Sequence, residues 1–386
     1  MRILLLVPYA KYYVHFQHDL LQALLDQGHE VIAAAPDFPL GQAQLPGGVL
    51  NRTIPLRNTG LNPFEDLRSL VALTALLRET KPDRLLCYSL KPNLYGSLAA
   101  RRAGVRRVHL FVTGLGYLFA EQTWKTALLL PFVKRLYARA IDGCERIYFE
   151  NGDDAAELAR LRSSVREKAV RVPGTGVNLA RFQPAECKGT DGKPIVFLLV
   201  ARLLKHKGVR EFAAAARLLK PRYPQAVFRL VGPFDCNPSA IGPQEIEAWV
   251  RDGIVEYAGE AADVRPHLAN ASVFVLPSYY REGTPKAILE AMACGLPVIT
   301  TDTPGCRDTV VPGENGFVVA PRSVSGLVQA IRRFLAEPEL AARMGMASRR
   351  IAAEVYDVDR VNGIILTALG LPAGTERPRA EQAAAR

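Results

Sequence analysis

The chain has 386 residues, enough for two or three domains at roughly 150 residues each. Its 49% hydrophobic and 23% charged residues exclude extensive disorder and a disulfide-stapled miniprotein. Lys and Arg outnumber Asp and Glu by 49 to 38, net +11, which points to an acidic partner: a phosphorylated ligand, an anionic membrane surface or nucleic acid.

The excess is uneven. Residues 1–190 hold 25 basic and 17 acidic residues, net +8; residues 191–386 hold 24 and 21, net +3. The six cysteines, at 87, 144, 187, 236, 294 and 306, include no C-x-x-C pair, so neither a zinc site nor a thioredoxin-type motif is indicated. Scattered single cysteines suit a reducing cytoplasm.

RILLLVPYA (2–10) reads as a buried strand. Lys11 and His15 follow at once, so the apolar run is too short for a secretory signal. A helix is expected from His15 to Gln27, closed by Gly28, then a strand at 29–36, a helix near 64–79, a strand at 83–89, a helix near 93–103 and a strand at 107–113. Continuous apolar strands separated by helices imply a parallel sheet covered on both faces. No apolar run approaches 18 residues, so no spanning helix is expected, and the protein reads as soluble or peripheral.

FQPAECKGTDGKP (182–194) reads as a linker. The α/β pattern then restarts, with strands at 194–202, 226–232, 254–259, 272–278 and 296–301. The fold class is therefore α/β, two doubly wound Rossmann-like domains, divided as 1–183 and 194–355. Residues 371–386 have the composition of a disordered tail.

The segment SYYREGTPKAILEAMACGLPVITTDTPGCRD (278–308) carries the most chemistry. A strand ends near Ser278, Thr284 has the chemistry of an N-cap, Pro285 suits the first helical position, and Gly295 can close the helix. Such a strand–loop–helix presents backbone N–H groups and the positive end of a dipole, a diphosphate site. Glu282 before the helix and Glu290 inside it would face hydroxyl groups, one on a sugar and one on a ribose.

These residues resemble a family. E-x7-E within EGTPKAILEAMACGLPV is similar to the signature of retaining GT-B glycosyltransferases that use nucleotide sugars. VARLLKHKGV (200–209) resembles the family's Arg and Lys pair on the donor diphosphate, here Arg202 and Lys207; Lys205 and His206 in the same turn read as solvated. GTGVNLARFQP (174–184) is similar to the family's interdomain motif, and LKPNLYGSLAARRAGVRRVHLFVTGLGYLF (90–119) to the subgroup that builds bacterial surface polysaccharides on polyprenyl-diphosphate lipids. The resemblance implies two domains facing each other across a cleft and a crossover helix over 356–370. It implies a donor site of Arg202, Lys207, Gly232, Glu282, Gly283, Thr284, Pro285, Lys286 and Glu290, with Glu282, Arg202 and Lys207 catalytic. It favours UDP over GDP, a hexosyl or N-acetylhexosaminyl group, a lipid-linked sugar acceptor, and neither cofactor nor metal. A soluble acceptor, a phosphorylase, and a nucleotide-binding relative without turnover are the alternatives.

On the acceptor side the candidates are Lys11, Tyr12, His15, Thr113, Gly114 and Gly116. The chain has no glycine from 1 to 27, where many relatives place glycines against phosphate, so side chains would have to substitute. TGLGYLF (113–119) begins like G-x-G-x-x-G but has Phe119 in the third glycine position and no acid at the ribose spacing, so the dinucleotide fingerprint fails. His109, within an apolar strand, reads as a core histidine or as a polar group near the acceptor. Asp153 and Asp154 read as N-terminal helix charges rather than metal ligands.

Two basic segments lack acids: RRAGVRR (101–107) and WKTALLLPFVKRLYARAI (124–141). Beside Trp124 and a strong apolar set they suit either an anionic membrane surface or a core-packing helix with a solvated face, interrupted at Pro131; the net charge and the resemblance to the surface-polysaccharide subgroup favour the membrane, on the inner face of the cytoplasmic membrane. No recognition motif accompanies the charge, which argues against nucleic acid.

Overall fold

The apolar run at the N-terminus forms β1 (Arg2–Leu6), which pairs in parallel with β2 (Glu30–Ala35) on one side and β4 (Arg84–Tyr88) on the other. The remaining strands of this sheet are β3 (Leu50–Thr53), β5 (Val108–Val112), β6 (Arg146–Phe149) and β7 (Ala169–Arg171), and the order is β3-β2-β1-β4-β5-β6-β7, all parallel. The computed structural model describes residues 1–38, 45–57, 62–116, 124–184, 194–235 and 237–373.

One face of this sheet packs Leu4, Leu6, Leu85 and Leu110 under the helices Pro63–Thr80, Ser97–Ala103 and Trp124–Gly143. The other packs Ile3, Leu5, Tyr88 and Phe111 under His18–Asp26 and the C-terminal helix Val358–Ala368. That last helix supplies Val361, Ile365 and Leu366, so the chain from Asp359 belongs to the first unit, with Met1–Thr175. Leu371 is buried in the same core, so the expected tail is ordered as far as 373; residues 374–386 lie outside the described residues.

Gly176–Val358 form the second unit. The boundary therefore falls before Gly176, not after 183: Val177 and Phe182 pack in the second unit's core. Arg349 fixes this stretch by donating to the carbonyls of Phe182 at 2.7 Å and Ala293 at 2.6 Å. Residues 185–193 of the expected linker lie outside the described residues.

The second sheet joins β8 (Val196–Val200), β9 (Val227–Val231), β10 (Glu256–Tyr257), β11 (Val273–Leu276), β12 (Val298–Thr301) and β13 (Gly316–Val319). Its order is β10-β9-β8-β11-β12-β13, again parallel. The helix after β8, Val209–Leu219, covers one face, and the helix after β11, Lys286–Ala293, covers the other. The winding reverses between β8 and β11. At such a switch point the loops leaving two neighbouring strands diverge and leave a crevice at their C-terminal ends.

Candidate functional site

Arg202 lies two residues past β8, and Lys207 ends the short turn Lys205–Lys207 that follows. Glu282 lies in the loop after β11. The Lys207 ammonium donates to Glu282 Oε2 at 2.6 Å, with the two side chains only 17% and 12% exposed. Ser278 Oγ donates to the other oxygen, Oε1, at 2.6 Å, and accepts the Tyr280 N–H at 3.3 Å. Both carboxylate oxygens are thus engaged, which fixes the group's direction at the switch point. Charge-assisted bonds of this length are the stronger kind.

The turn that carries Lys207 is itself tied to this loop. The His206 carbonyl accepts the Tyr279 N–H at 2.8 Å, and the His206 ring stacks on Tyr280 with centroids 5.6 Å apart. His206 is half-buried scaffold, not the solvated residue expected. Arg202 is exposed and pairs with Asp235 at 2.9 Å. Gly232 follows β9 with φ 152°, and a Cβ there would stand 1.8 Å from the Ala201 carbonyl oxygen, so only glycine lets β9's end lie against the Arg202 segment.

The helix begins at Lys286, one residue later than expected. Pro285, in extended backbone at φ −64° and ψ 113°, occupies the N-cap position, and Thr284 lies one residue before it. The physical reason is the Pro itself: its fixed φ fits either place, and here its carbonyl accepts the Ile288 N–H at 3.0 Å. Gly283, Thr284 and Pro285 are buried, and the first-turn N–H groups of the helix lie beside Lys286. Gly295, at φ 75°, follows the helix end.

Glu290 lies in the second turn. Burial raises its pKa above the ordinary carboxylate value, opposed by the Lys286 and Arg181 charges and reinforced by Asp263. The Cys306 thiol beneath the site is fully buried and pushed up to about 12, by burial first and then by Glu282, so it is a packing group and not a nucleophile.

In the first unit a second polar group gathers at the strands' C-terminal ends. Tyr12 is buried after β1; it hydrogen-bonds Thr113 and Gln17 and faces Glu150, the residue after β6. Thr113, after β5, lies 3.1 Å from the hydroxyl of Ser89, which follows β4 and holds an unusual φ of 74°. Lys11 and His15 are exposed. Tyr13 anchors the intervening wide turn, Tyr13–Gln17, accepting from the Ala34 N–H at 2.9 Å and donating to the Leu5 carbonyl at 2.7 Å.

Gly114 and Gly116 both take positive φ, 101° and 64°. Between them the Leu115 N–H donates to Asp154 at 3.1 Å. Asp154 is fully buried and accepts also from Asn151 Nδ2 at 3.0 Å, while Asn151 Oδ1 caps the helix Gly152–Leu161 through the Asp154 N–H at 2.8 Å. Asp154 is therefore a loop anchor as well as a helix-start acid. Phe119 lies outside the described residues. His109 occupies the second position of β5, away from Thr113; it is fully buried, 3.4 Å from the Tyr148 hydroxyl, and lowered to about 3 by burial and then by Arg84, Arg107 and Arg146. It is a core histidine.

Sequence reasoning missed Ser278, Asp235, Ser89, Glu150 and the anchoring role of Asp154. Each but Ser278, which acts within its own loop, acts through a contact between segments far apart in the chain. The local signal available was position alone: each except Asp154 stands one to four residues past an apolar run.

Residues 185–351 match the model of group 1 glycosyl transferases, and residues 2–151 that of glycosyl transferase 4-like proteins. Over 354 residues, 89% of this chain and 91% of the relative, the chain is 30% identical to the N,N'-diacetylbacillosaminyl-diphospho-undecaprenol alpha-1,3-N-acetylgalactosaminyltransferase of Campylobacter jejuni. This chain belongs to the group 1, GT4-like glycosyltransferases.

The enzyme is also 29% identical over 290 residues, 72% of this chain and 73% of the relative, to the UDP-Gal:alpha-D-GlcNAc-diphosphoundecaprenol alpha-1,3-galactosyltransferase of Escherichia coli. Its fold is GT-B. Sucrose-phosphate synthase of Thermosynechococcus elongatus matches with TM-score 0.79 at 20% identity, covering 96% of this chain and 98% of the other. HepE of Anabaena in complex with UDP-glucose matches with TM-score 0.74 at 18% identity, covering 96% and 100%.

Proposed function

We propose that this glycosyltransferase moves a hexosyl or N-acetylhexosaminyl group from a UDP-sugar to a polyprenyl-diphosphate-linked sugar, with retention at the anomeric carbon and without a metal, at the cytoplasmic face of an anionic membrane. The observation that carries the reading is the Lys207–Glu282 pair beside the N-terminus of Lys286–Ala293, at the switch point of the second sheet. Two relatives named for diphospho-undecaprenol-linked acceptors support the acceptor class, and one of them is named for UDP-galactose.

In this reading the donor diphosphate lies against the helix start. The sugar C1–O bond breaks, and negative charge grows on the leaving phosphate oxygen. Arg202, Lys207 and the first-turn N–H groups stabilise that charge; preorganised donors of this kind each account for on the order of 10²–10³ in rate. Glu282, held by Ser278 and Lys207, orients the sugar hydroxyls, and Glu290 accepts from the ribose. The acceptor oxygen attacks C1 on the face the diphosphate leaves, and its proton passes to the leaving phosphate oxygen. The first unit holds the acceptor through Tyr12, Thr113 and the loop Gly114–Gly116 fixed by Asp154, with Lys11 and His15 at its exposed margin.

The first unit also meets the membrane. Arg101, Arg102, Arg106 and Arg107 are exposed, as are Arg135 and Arg139. Among the described residues no helix is long and apolar enough to cross a membrane.

The test is transfer from a panel of UDP- and GDP-sugars to synthetic polyprenyl-diphosphate sugars, with product anomers assigned by NMR. Transfer from a UDP-sugar with retained configuration is expected. Inversion, or turnover only with GDP-sugars or only with soluble glycans, would overturn the corresponding part.

A further inference from the structure

Polar side chains also gather where the strands of the first sheet begin, at the edge opposite Tyr12, Ser89 and Thr113. Arg84 opens β4, Arg107 immediately precedes β5, and His109 lies beside Arg146 in the register of β5 and β6. Side chains alternate across a strand, so residues two apart share a face. Arg84, His109 and Arg146 each stand two residues before a member of one core: Leu86, Phe111 and Tyr148. They therefore line one face of three neighbouring strands.

Two of these side chains are more than nine-tenths buried: Arg84 is 3% exposed and His109 0%. Among the described residues, Arg84 Nε and Nη1 and His109 Nε2 have no hydrogen-bond partner. Burial of donors in this state is costly, above all for a cation. The Tyr148 hydroxyl lies 3.4 Å from His109 Nδ1; by donating there it leaves the hydrogen of the neutral ring on Nε2.

One acid faces these donors. Glu145 Oε1 is 4.0 Å from Arg84 Nη1, and Oε2 is 4.0 Å from His109 Nε2 and 3.9 Å from Arg107 Nε. All three separations exceed the hydrogen-bond range, which ends near about 3.2 Å. The carboxylate is ringed by donors and reaches none of them. Asp83, the other acid near Arg84, accepts the Arg2 N–H at 2.7 Å. Arg146 donates to the Glu167 carbonyl at 3.1 Å, which brings no charge. Positive charge is therefore in excess here. Glu145 and Arg107 are the more open members, 38% and 56% exposed, so their side chains can swing aside.

We infer that this cluster binds a free phosphate ion, which displaces the Glu145 side chain and accepts from Arg84, Arg107 and His109 together. A tetrahedral oxyanion is wider than a carboxylate and presents oxygens in more directions, and guanidinium forks match it in charge and spacing. The ion would tie β4 to β5 and β6. It would also brace Gly370, just past the C-terminal helix, where a Cβ would stand 3.5 Å from Arg84 Nη2. The site lies at the opposite ends of the strands from the acceptor candidates, and it does not depend on the donor or acceptor reading.

The experiment is calorimetric titration of the full chain with sodium phosphate near neutral pH, against sodium chloride of equal ionic strength. UDP is present throughout to fill any nucleotide site. Wild type is expected to bind one phosphate. Glu145→Gln removes the competing carboxylate and is expected to bind at least about tenfold more tightly; Arg107→Gln removes an open donor and is expected to bind at least about tenfold more weakly. Arg84→Met is expected to abolish binding. Should it fail to fold, the other two variants, at partly exposed positions, carry the test.

Urea unfolding gives an independent readout. In chloride, Glu145→Gln is expected to unfold at lower urea than wild type, because Arg84 and Arg107 lose the acid that faces them. Phosphate is expected to raise its midpoint by more than it raises the wild-type midpoint, a comparison in which general salt effects cancel. No phosphate binding by wild type and Glu145→Gln, equal affinity in wild type and both variants, or an equal rise in the two midpoints would overturn the inference, leaving Glu145 as the cluster's own counter-ion.

Discussion

Lys207 and Glu282, 75 residues apart in the chain, meet in a 2.6 Å ion pair between the connections that leave β8 and β11. The pair couples the two motifs that the proposed donor chemistry uses. Removing either charge leaves the other without its partner in a mostly buried place, which is costlier than losing an exposed pair.

Lys207→Met is therefore expected to lower kcat on the order of 10²-fold, the scale of losing one preorganised donor to a developing oxyanion. Glu282→Gln is expected to lower kcat by a comparable factor while changing the affinity for free UDP little. Initial rates with calorimetry on the nucleotide decide it. Equal loss of UDP affinity in the Glu282 variant would remove Glu282 from the sugar side.

Much of this was legible in the sequence, for a physical reason. Strands buried on both faces, such as Arg2–Leu6 and Val196–Val200, read as unbroken apolar runs, and helices between them keep the parallel order. The edge strand Leu50–Thr53 did not, because all four residues of LNRT are exposed and give no apolar run. Ala169–Arg171 is three residues long and mostly exposed, and Gly316–Val319, an edge strand of the second sheet, is only partly buried. At the site, Arg202, Lys207 and Glu282 were visible as charges after apolar runs. Ser278 and Asp154 were not, since a hydroxyl or carboxylate that orients a loop 4 or 39 residues away has no spacing rule.

Gly305 explains a glycine that the motif alone leaves without a role. Its φ is 78°, and a Cβ there would fall 1.4 Å from the Gly283 carbonyl oxygen, inside the loop that carries Glu282. Gly305→Ala is expected to push Gly283 away and weaken UDP binding by about tenfold, equivalent to about 1.4 kcal/mol. Affinity unchanged within a factor of two to three would show that the loop absorbs the shift.

Activity is expected to survive EDTA. Lys207, Arg202 and the start of Lys286–Ala293 already supply positive charge along the C-terminal edge of the second sheet, and the two adjacent acids Asp153 and Asp154 are in the other unit, where Asp154 is committed to Leu115 and Asn151. The measurement is the initial rate after chelation and again after adding Mg²⁺ or Mn²⁺. Activity lost to chelator and restored by the metal would overturn the metal-free mechanism.

His109 ties stability to pH. Its pKa falls to about 3 in the fold, against 6.5 when exposed, so the native state keeps it neutral while the unfolded chain protonates. Between these values the unfolded state binds more protons, and stability rises with pH. From pH 7 down to pH 5 this single group is expected to remove about 2 kcal/mol. Urea unfolding at the two pH values, with His109→Gln as the comparison, measures it; an identical pH slope in both proteins would exclude the assignment.

Glu290 should make nucleotide binding pH-dependent. Burial raises its pKa above 4.5, so part of the population is protonated at mildly acidic pH. In the proposed site an ionised carboxylate can accept from two ribose hydroxyls; a protonated one loses much of that capacity. UDP affinity is therefore expected to climb with pH through the raised pKa and then level off, and Glu290→Gln to bind more weakly with a flat profile. The sign for folding is opposite. A carboxyl with a raised native pKa binds more protons folded than unfolded, so its contribution to stability falls as pH rises above 4.5, and Glu290→Gln is expected to unfold at the same or a higher urea concentration at pH 7. A variant that both binds UDP more weakly and resists urea at least as well separates a ligand-facing acid from a structural one. Weaker binding with weaker folding would mean that Glu290 supports the helix rather than the ribose.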